Sequence, residues 1–141
     1  MKGDKLINMA RIAAKENNFE EAYQLLKRAM EYGNPEAIYA IGTWYLHGVH
    51  LEKDLEKSIK FFQLACDANF PAACFDLACS YEKGMGFDEN LEVEIKNYVK
   101  ASLWGDKEAV YEVYRCLYYG IGVPENKELS YIWLERFESL E

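Results

Sequence analysis

The chain has 141 residues, half of them apolar and 15% aromatic, with a net charge of −8. That length supports one sizeable core and that composition excludes a disordered chain, while the excess of acid disfavours nucleic-acid binding, which needs a basic face for phosphate. No apolar run approaches the ~18–20 residues of a membrane span, and Met1-Lys2-Gly3-Asp4-Lys5 leads into none, so no secretory signal is expected and a cytoplasmic protein without membrane contact is.

In chain order, a first helix through Ala13 is followed by Asn17-Asn18 and a second helix carrying Ala22, Tyr23, Leu26 and Ala29, closed by Gly33. Asn34-Pro35-Glu36 then begins a third, with Asn as cap, Pro at the first helical position and Glu near the positive end of the helix dipole. Ile38, Ile41, Trp44 and Tyr45 recur at helical spacing and Gly48 ends it. Asp54 caps the next helix, which carries Ser58, Ile59, Phe62, Ala65 and Cys66 and closes at Asn69. The pattern then repeats. Ala37, Ala73 and Ala109 are spaced by 36, as are Gly48, Gly84 and Gly120, and Ala29, Ala65 and Ala101. Asp54, Asn90 and Asn126 keep the step as helix caps, Leu26, Phe62, Tyr98 and Leu134 form a large apolar column, and Tyr23, Ile59, Ile95 and Tyr131 another. Gly105 closes the sixth helix. Such a period means stacked units: four helix-turn-helix pairs, eight helices, with units at about 1–33, 34–69, 70–105 and 106–141 of a single domain.

Gly120-Ile121-Gly122 therefore punctuates two helices. Gly84-Met85-Gly86 is the same turn one unit earlier and Gly48-Val49-His50 its degenerate form. A dinucleotide fingerprint needs a preceding strand and a third glycine, and Glu125 stands in that place. The five carboxylates from Glu82 to Glu94, against Lys83 alone, read as a solvated loop and helix start. His47 and His50 share one turn without an obvious third ligand and read as a solvated pair. The cysteines, Cys66, Cys74, Cys79 and Cys116, form no C-x-x-C, so no metal or other cofactor is expected. Ser80-Tyr81-Glu82-Lys83 matches S-x-x-K, but the S-D-N and K-T-G companions of penicillin-recognising enzymes are missing. The expectation is a protein without catalysis.

An Ala, a small residue five on, then Tyr, Gly-x-Gly-Val, Asp or Asn, an aromatic and a closing Ala resembles the Sel-one-like repeat. Residues 37–72 carry it with Ala37, Gly42, Tyr45, Gly48, Val49, Asp54, Phe62 and Ala65, residues 73–108 with Ala73, Ala78, Tyr81, Gly84, Gly86, Tyr98 and Ala101, and the last unit with Ala109, Gly120, Gly122, Val123 and Asn126. Tyr114 departs from the small residue expected there, so a looser last pair is expected. "AAKENNFEEAYQLLKRA", four residues shorter at its turn, resembles a plain tetratricopeptide unit. The resemblance implies an all-α fold, an α/α superhelical solenoid, with a concave side lined by the first helix of each unit. It also implies a groove for a protein or peptide, lined by Tyr39, Phe75 and Tyr111, by Thr43, Cys79 and Arg115, and by His47, Tyr118 and Tyr119. Tyr39 and Phe75 could equally pack between helices as core. Tyr and Arg are the types that anchor interfaces. Family members serve as adaptors, scaffolds and immunity partners of secreted toxins, and an acidic member would suit a basic toxin. "CDANFPAAC" resembles the cysteine-rich members, which bridge successive units at the spacing of Cys66 and Cys74; a cytosolic setting favours reduced thiols instead, and both readings stand. Those relatives also imply the alternative, a β-lactam-binding or weakly hydrolysing enzyme. A monomer or weak homodimer is expected, with Trp133 and Phe137 near an open end.

Overall fold

A computed structural model describes residues 1–83 and 91–140. Gly84, Met85, Gly86, Asp88, Glu89 and Asn90 lie outside the described residues, as do Glu141 and the side chains of 81–83, 91 and 92. Eight helices are present among the described residues, and no strand: α1 (Asp4–Lys15), α2 (Phe19–Glu31), α3 (Pro35–His47), α4 (Leu55–Asp67), α5 (Pro71–Lys83), α6 (Leu91–Leu103), α7 (Lys107–Tyr119) and α8 (Lys127–Ser139). None of these is long and apolar enough to cross a membrane. Two compact units divide them, residues 1–70 and 71–141.

The helix starts keep the 36-residue step from Pro35 to Pro71 to Lys107 and from Phe19 to Leu55, Leu91 and Lys127. The ends are fixed where the sequence places them. Asn18, Asn34, Asp54, Asp106 and Asn126 each accept a bond from a backbone amide in the first turn of the following helix, satisfying donors the helix itself leaves open. Gly48 and Gly120 end α3 and α7 at φ 68 and 71, and Gly122 turns again at φ 73. His50, in the register of Gly122, adopts φ 59 without being glycine, which costs about 1 kcal/mol or more of backbone strain.

In residues 1–70, α1 packs on α2, α2 on α3 and α3 on α4, around Ile7, Ala10, Leu25, Leu26 and Ile41. Asn34, only 1% exposed, ties the pairs together. Its amide donates to the Lys2 carbonyl (2.9 Å) and to Asp4 Oδ1 (2.8 Å), while its Oδ1 accepts from the Glu36 and Ala37 amides. Gly42 lets α3 close on α4: a Cβ there would stand 2.9 Å from two Phe62 ring atoms and 3.1 Å from Phe61 Cβ. In residues 71–141, α5 packs on α6, α6 on α7 and α7 on α8, around Ala78, Ile95, Tyr98, Val113 and Cys116. Tyr114 is half-buried and its ring lies along α7 beside Tyr111 (5.4 Å) and Tyr118 (5.8 Å).

Gly42→Ala is expected to destabilise the protein by about 1–3 kcal/mol through overpacking against Phe62, read as a lower denaturant midpoint at unchanged slope. Asn34→Asp keeps the cap on α3 but loses the two donated bonds, so its melt should fall below the wild type. Asn34→Ala, losing both functions, should fall further.

Candidate interaction surface

A cleft of about 270 Å³ lies between α1 and α3. Ile7, Ala10 and Ala14 of α1 and Ala40 of α3 give it an apolar floor with Leu26 beneath, and Tyr39, Trp44 and Phe70 give it aromatic walls. Arg11 and Glu36 form an ion pair at its rim. The α1 contribution follows from register: with the first turn four residues shorter, Arg11 occupies the position of Thr43, Cys79 and Arg115, and Ile7 that of Tyr39, Phe75 and Tyr111.

Two of the residues expected in a groove line this cleft. Tyr39 is half-buried and rests on Phe62 (5.4 Å) and Phe70 (5.2 Å), so it is both core and wall. Thr43 lines the cleft with its hydroxyl donating to the Ala40 carbonyl at 2.7 Å. His47 is exposed in the last turn of α3. The others lie in residues 71–141. Phe75 packs on Tyr98 (5.5 Å), and Cys79 Sγ sits 3.4 Å from the Tyr98 hydroxyl. Tyr111 meets Phe137 (5.1 Å) and Tyr118 meets Tyr131 (6.3 Å), both across to α8, whereas Tyr119 is exposed. Tyr111, Tyr114, Tyr118 and Tyr119 make a continuous aromatic row, and burial together with the neighbouring tyrosines pushes the Tyr114 phenol up. Lys127 stands over the Tyr118 ring and Lys107 over Phe137. Arg115 is engaged within its own unit: its Nε donates to Glu112 (2.6 Å) and its guanidinium pairs with Glu94 of α6 (3.5 Å). Cys66 in the last turn of α4 and Cys74 in the first turn of α5 are both fully buried.

One sequence expectation changes and another gains detail. Glu94 does not end a solvated acidic stretch; it is wholly buried, in the column of Ala22, Ser58 and Ser130, where Arg115 supplies the opposite charge that burial demands. His47 and His50 are both exposed, as expected, but the His50 side chain is engaged. Its ring packs on Tyr23 (5.7 Å) and Trp44 (6.1 Å), and its Nε2 lies 2.8 Å from Glu20. Bonding from Gln24 and then from His50 holds the Glu20 carboxyl below its ordinary value. Sequence reading missed Arg11, Glu36, Trp44 and Phe70 as cleft residues; counting the four-residue shift would have found Arg11. Ser80, of the S-x-x-K stretch, is buried with its hydroxyl donating to the Asp76 carbonyl at 2.9 Å.

The family model for the Sel1 repeat matches residues 13–33, 35–70, 71–93 and 109–139. The chain belongs to the Sel1 repeat family. Proteins of this family in general mediate protein–protein interactions. Among solved structures, a Sel1 repeat protein from Oxalobacter formigenes is 27% identical with a TM-score of 0.88, covering 96% of this chain and 56% of that one. A protective antigen of uropathogenic Escherichia coli strains, described as displaying an SLR fold, has the same TM-score at 18% identity, over 96% of this chain and 30% of its own. Helicobacter pylori cysteine rich protein B reaches 0.63 at 23% identity, covering 84% of this chain and 90% of that one. The last two likenesses concern the fold alone, which is all-α and of the solenoid class. The chain thus spans about half of the first relative and under a third of the second. No curated protein matches it.

Removing Arg115 should take an opposite charge away from a buried carboxylate, at about 3–5 kcal/mol. Arg115→Ala is therefore expected to be strongly destabilising, and Glu94→Gln placed on top of it to recover part of the loss; additive effects in a double-mutant cycle would show the pair uncoupled. Because the Glu20 carboxyl is lowered, its contribution to stability is present above the ordinary glutamate pKa and lost as pH falls through the lowered value. The Glu20 side-chain carbon should titrate below that of a model glutamate by NMR, and Gln24→Ala and His50→Ala should each move the midpoint upward.

Proposed function

We propose that the protein is a non-catalytic interaction module that holds a protein or peptide partner in the cleft between α1 and α3. The observation that carries this reading is the cleft itself: an apolar floor and three aromatic rings open to solvent beside one exchangeable ion pair, Arg11 with Glu36. Such a site suits a side-chain anchor of a partner flanked by polar groups. The charge supports a basic partner. Residues 1–70 carry nine Lys and Arg against ten Asp and Glu, whereas residues 71–141 carry seven against fourteen, a field that speeds encounter with cations. An adaptor, or an immunity protein that neutralises a basic toxin in the bacterial cytoplasm, fits that balance. The exposed Tyr119 beside Tyr118 gives a second contact region on the same reading. The β-lactam reading gains no support from Ser80, whose hydroxyl is buried and bonded to its own helix.

Selection of peptides from a displayed random library on the wild-type protein tests the site. Ala40→Trp, which fills the cleft, should weaken the selected peptides about tenfold or more, and Arg11→Glu should weaken those with basic flanks less than those with acidic ones. Peptides indifferent to Ala40→Trp but lost with Tyr118→Ala/Tyr119→Ala would place binding on the tyrosine row instead. Nitrocefin turnover that disappears in Ser80→Ala would replace the whole reading with an enzyme.

A further inference from the structure

The repeat register makes it possible to ask what each helix face would touch if it had a neighbour. Ile41 of α3 and Val113 of α7 are both only 2% exposed. They pack against the second helix of the preceding pair, Ile41 with Leu25 and Leu26 of α2 and Val113 with Ile95 and Tyr98 of α6. One turn on, Trp44 stacks on Tyr23 of α2, and Cys116 is fully buried with Ile95. The residues of α1 in these two positions are Met9 and Ile12, and they are 42% and 59% exposed. The mirror case is α8. Tyr23 and Ile95 face the first helix of the next pair, and Tyr131 in their column is 50% exposed. Here α1 keeps two large apolar side chains in the stacking positions, and α8 keeps a tyrosine.

The net charges around them differ in sign. Exposed Lys5 and Lys15 lie one turn either side of Met9 and Ile12, with exposed Glu16 also beyond Ile12. Exposed Glu128, Glu135 and Glu138 flank Tyr131 along α8, against exposed Lys127. Two α1 faces, or two α8 faces, would bring like charges together, which opposes pairing. An α1 face against an α8 face brings lysines to glutamates and apolar side chains to a tyrosine.

We infer that the occupant of these faces is a second copy of this chain, the α1 face of one molecule stacking on the α8 face of another as the next pair of a repeat would. The interface is heterologous, so it propagates from dimer to longer chains unless it closes. It is independent of the cleft proposed above, because none of Met9, Ile12 and Tyr131 lines it.

Sedimentation velocity of the 141-residue chain, from low to high micromolar concentration, reads the association. The wild type should grow in mass with concentration, and added salt should reverse part of the growth. Met9→Lys/Ile12→Lys and Tyr131→Glu should each be monomeric alone, with association weakened about tenfold or more. Mixed, they should form a one-to-one dimer and nothing larger, since one retains its α8 face and the other its α1 face. All three substituted residues are solvent-exposed, and circular dichroism checks that both variants melt as the wild type does. Should either fail that check, Lys5→Glu/Lys15→Glu and Glu135→Lys/Glu138→Lys should each be monomeric alone and regain growth in mass with concentration when mixed, since both contacts between the two variants join opposite charges. A wild type that stays monomeric throughout, a Tyr131→Glu variant that still self-associates, or a mixture that stays monomeric would each overturn the inference.

Discussion

The structure depends on how closely two helices can approach, and a few small side chains set that distance. Ala29, Ala65 and Ala101 end the second helices, Ala37, Ala73 and Ala109 begin the first helices that follow, and all six are fully buried. Gly42 is the extreme case, where even a methyl would overlap the Phe62 ring. Close approach there lets larger neighbours be covered completely: Phe62 and Tyr98 are at most 1% exposed. Because dispersion contacts fade steeply with small gaps, loosening one small position loses contacts along the whole pair. The columns that hold the helices together are consequently closed to solvent.

Much of the framework was legible because it is written in local chemistry that repeats. Asn34, Asp54 and Asn126 cap the helices they precede, and Gly48, Gly120 and Gly122 sit in the left-handed turns their spacing implies. The cleft was half legible. Tyr39 and Thr43 belong to the clear 36-residue register, but the α1 wall is offset by the shorter first turn, and Arg11 was hidden by it. Two features were illegible for a different reason. Glu94 follows a run of acids, so its sequence neighbours suggest solvation, while the group that permits its burial, Arg115, is 21 positions away. His50 stands at an exposed turn, and its ring contacts with Tyr23 and Trp44 come from α2 and α3. Burial of a polar group depends on a partner brought by the fold, and no local pattern encodes it.

Arg11 and Arg115 make the same point about function. They share one register position, with Thr43 and Cys79 between them, and both meet a glutamate of another helix. The environments differ. The side chains of Arg11 and Glu36 are 58% and 36% exposed, whereas Glu94 is wholly buried beside Arg115. An exposed pair contributes at most about 1 kcal/mol, so a carboxylate from a partner can replace Glu36 at Arg11 with little loss. The Arg115 pair cannot be exchanged in this way, because withdrawing the guanidinium leaves a carboxylate without solvent. One repeat position therefore carries an exchangeable ion pair in the first pair of helices and a cohesive one in the last. The difference is set by whether the glutamate opposite sits on an exposed rim or in a column meant for alanine and serine.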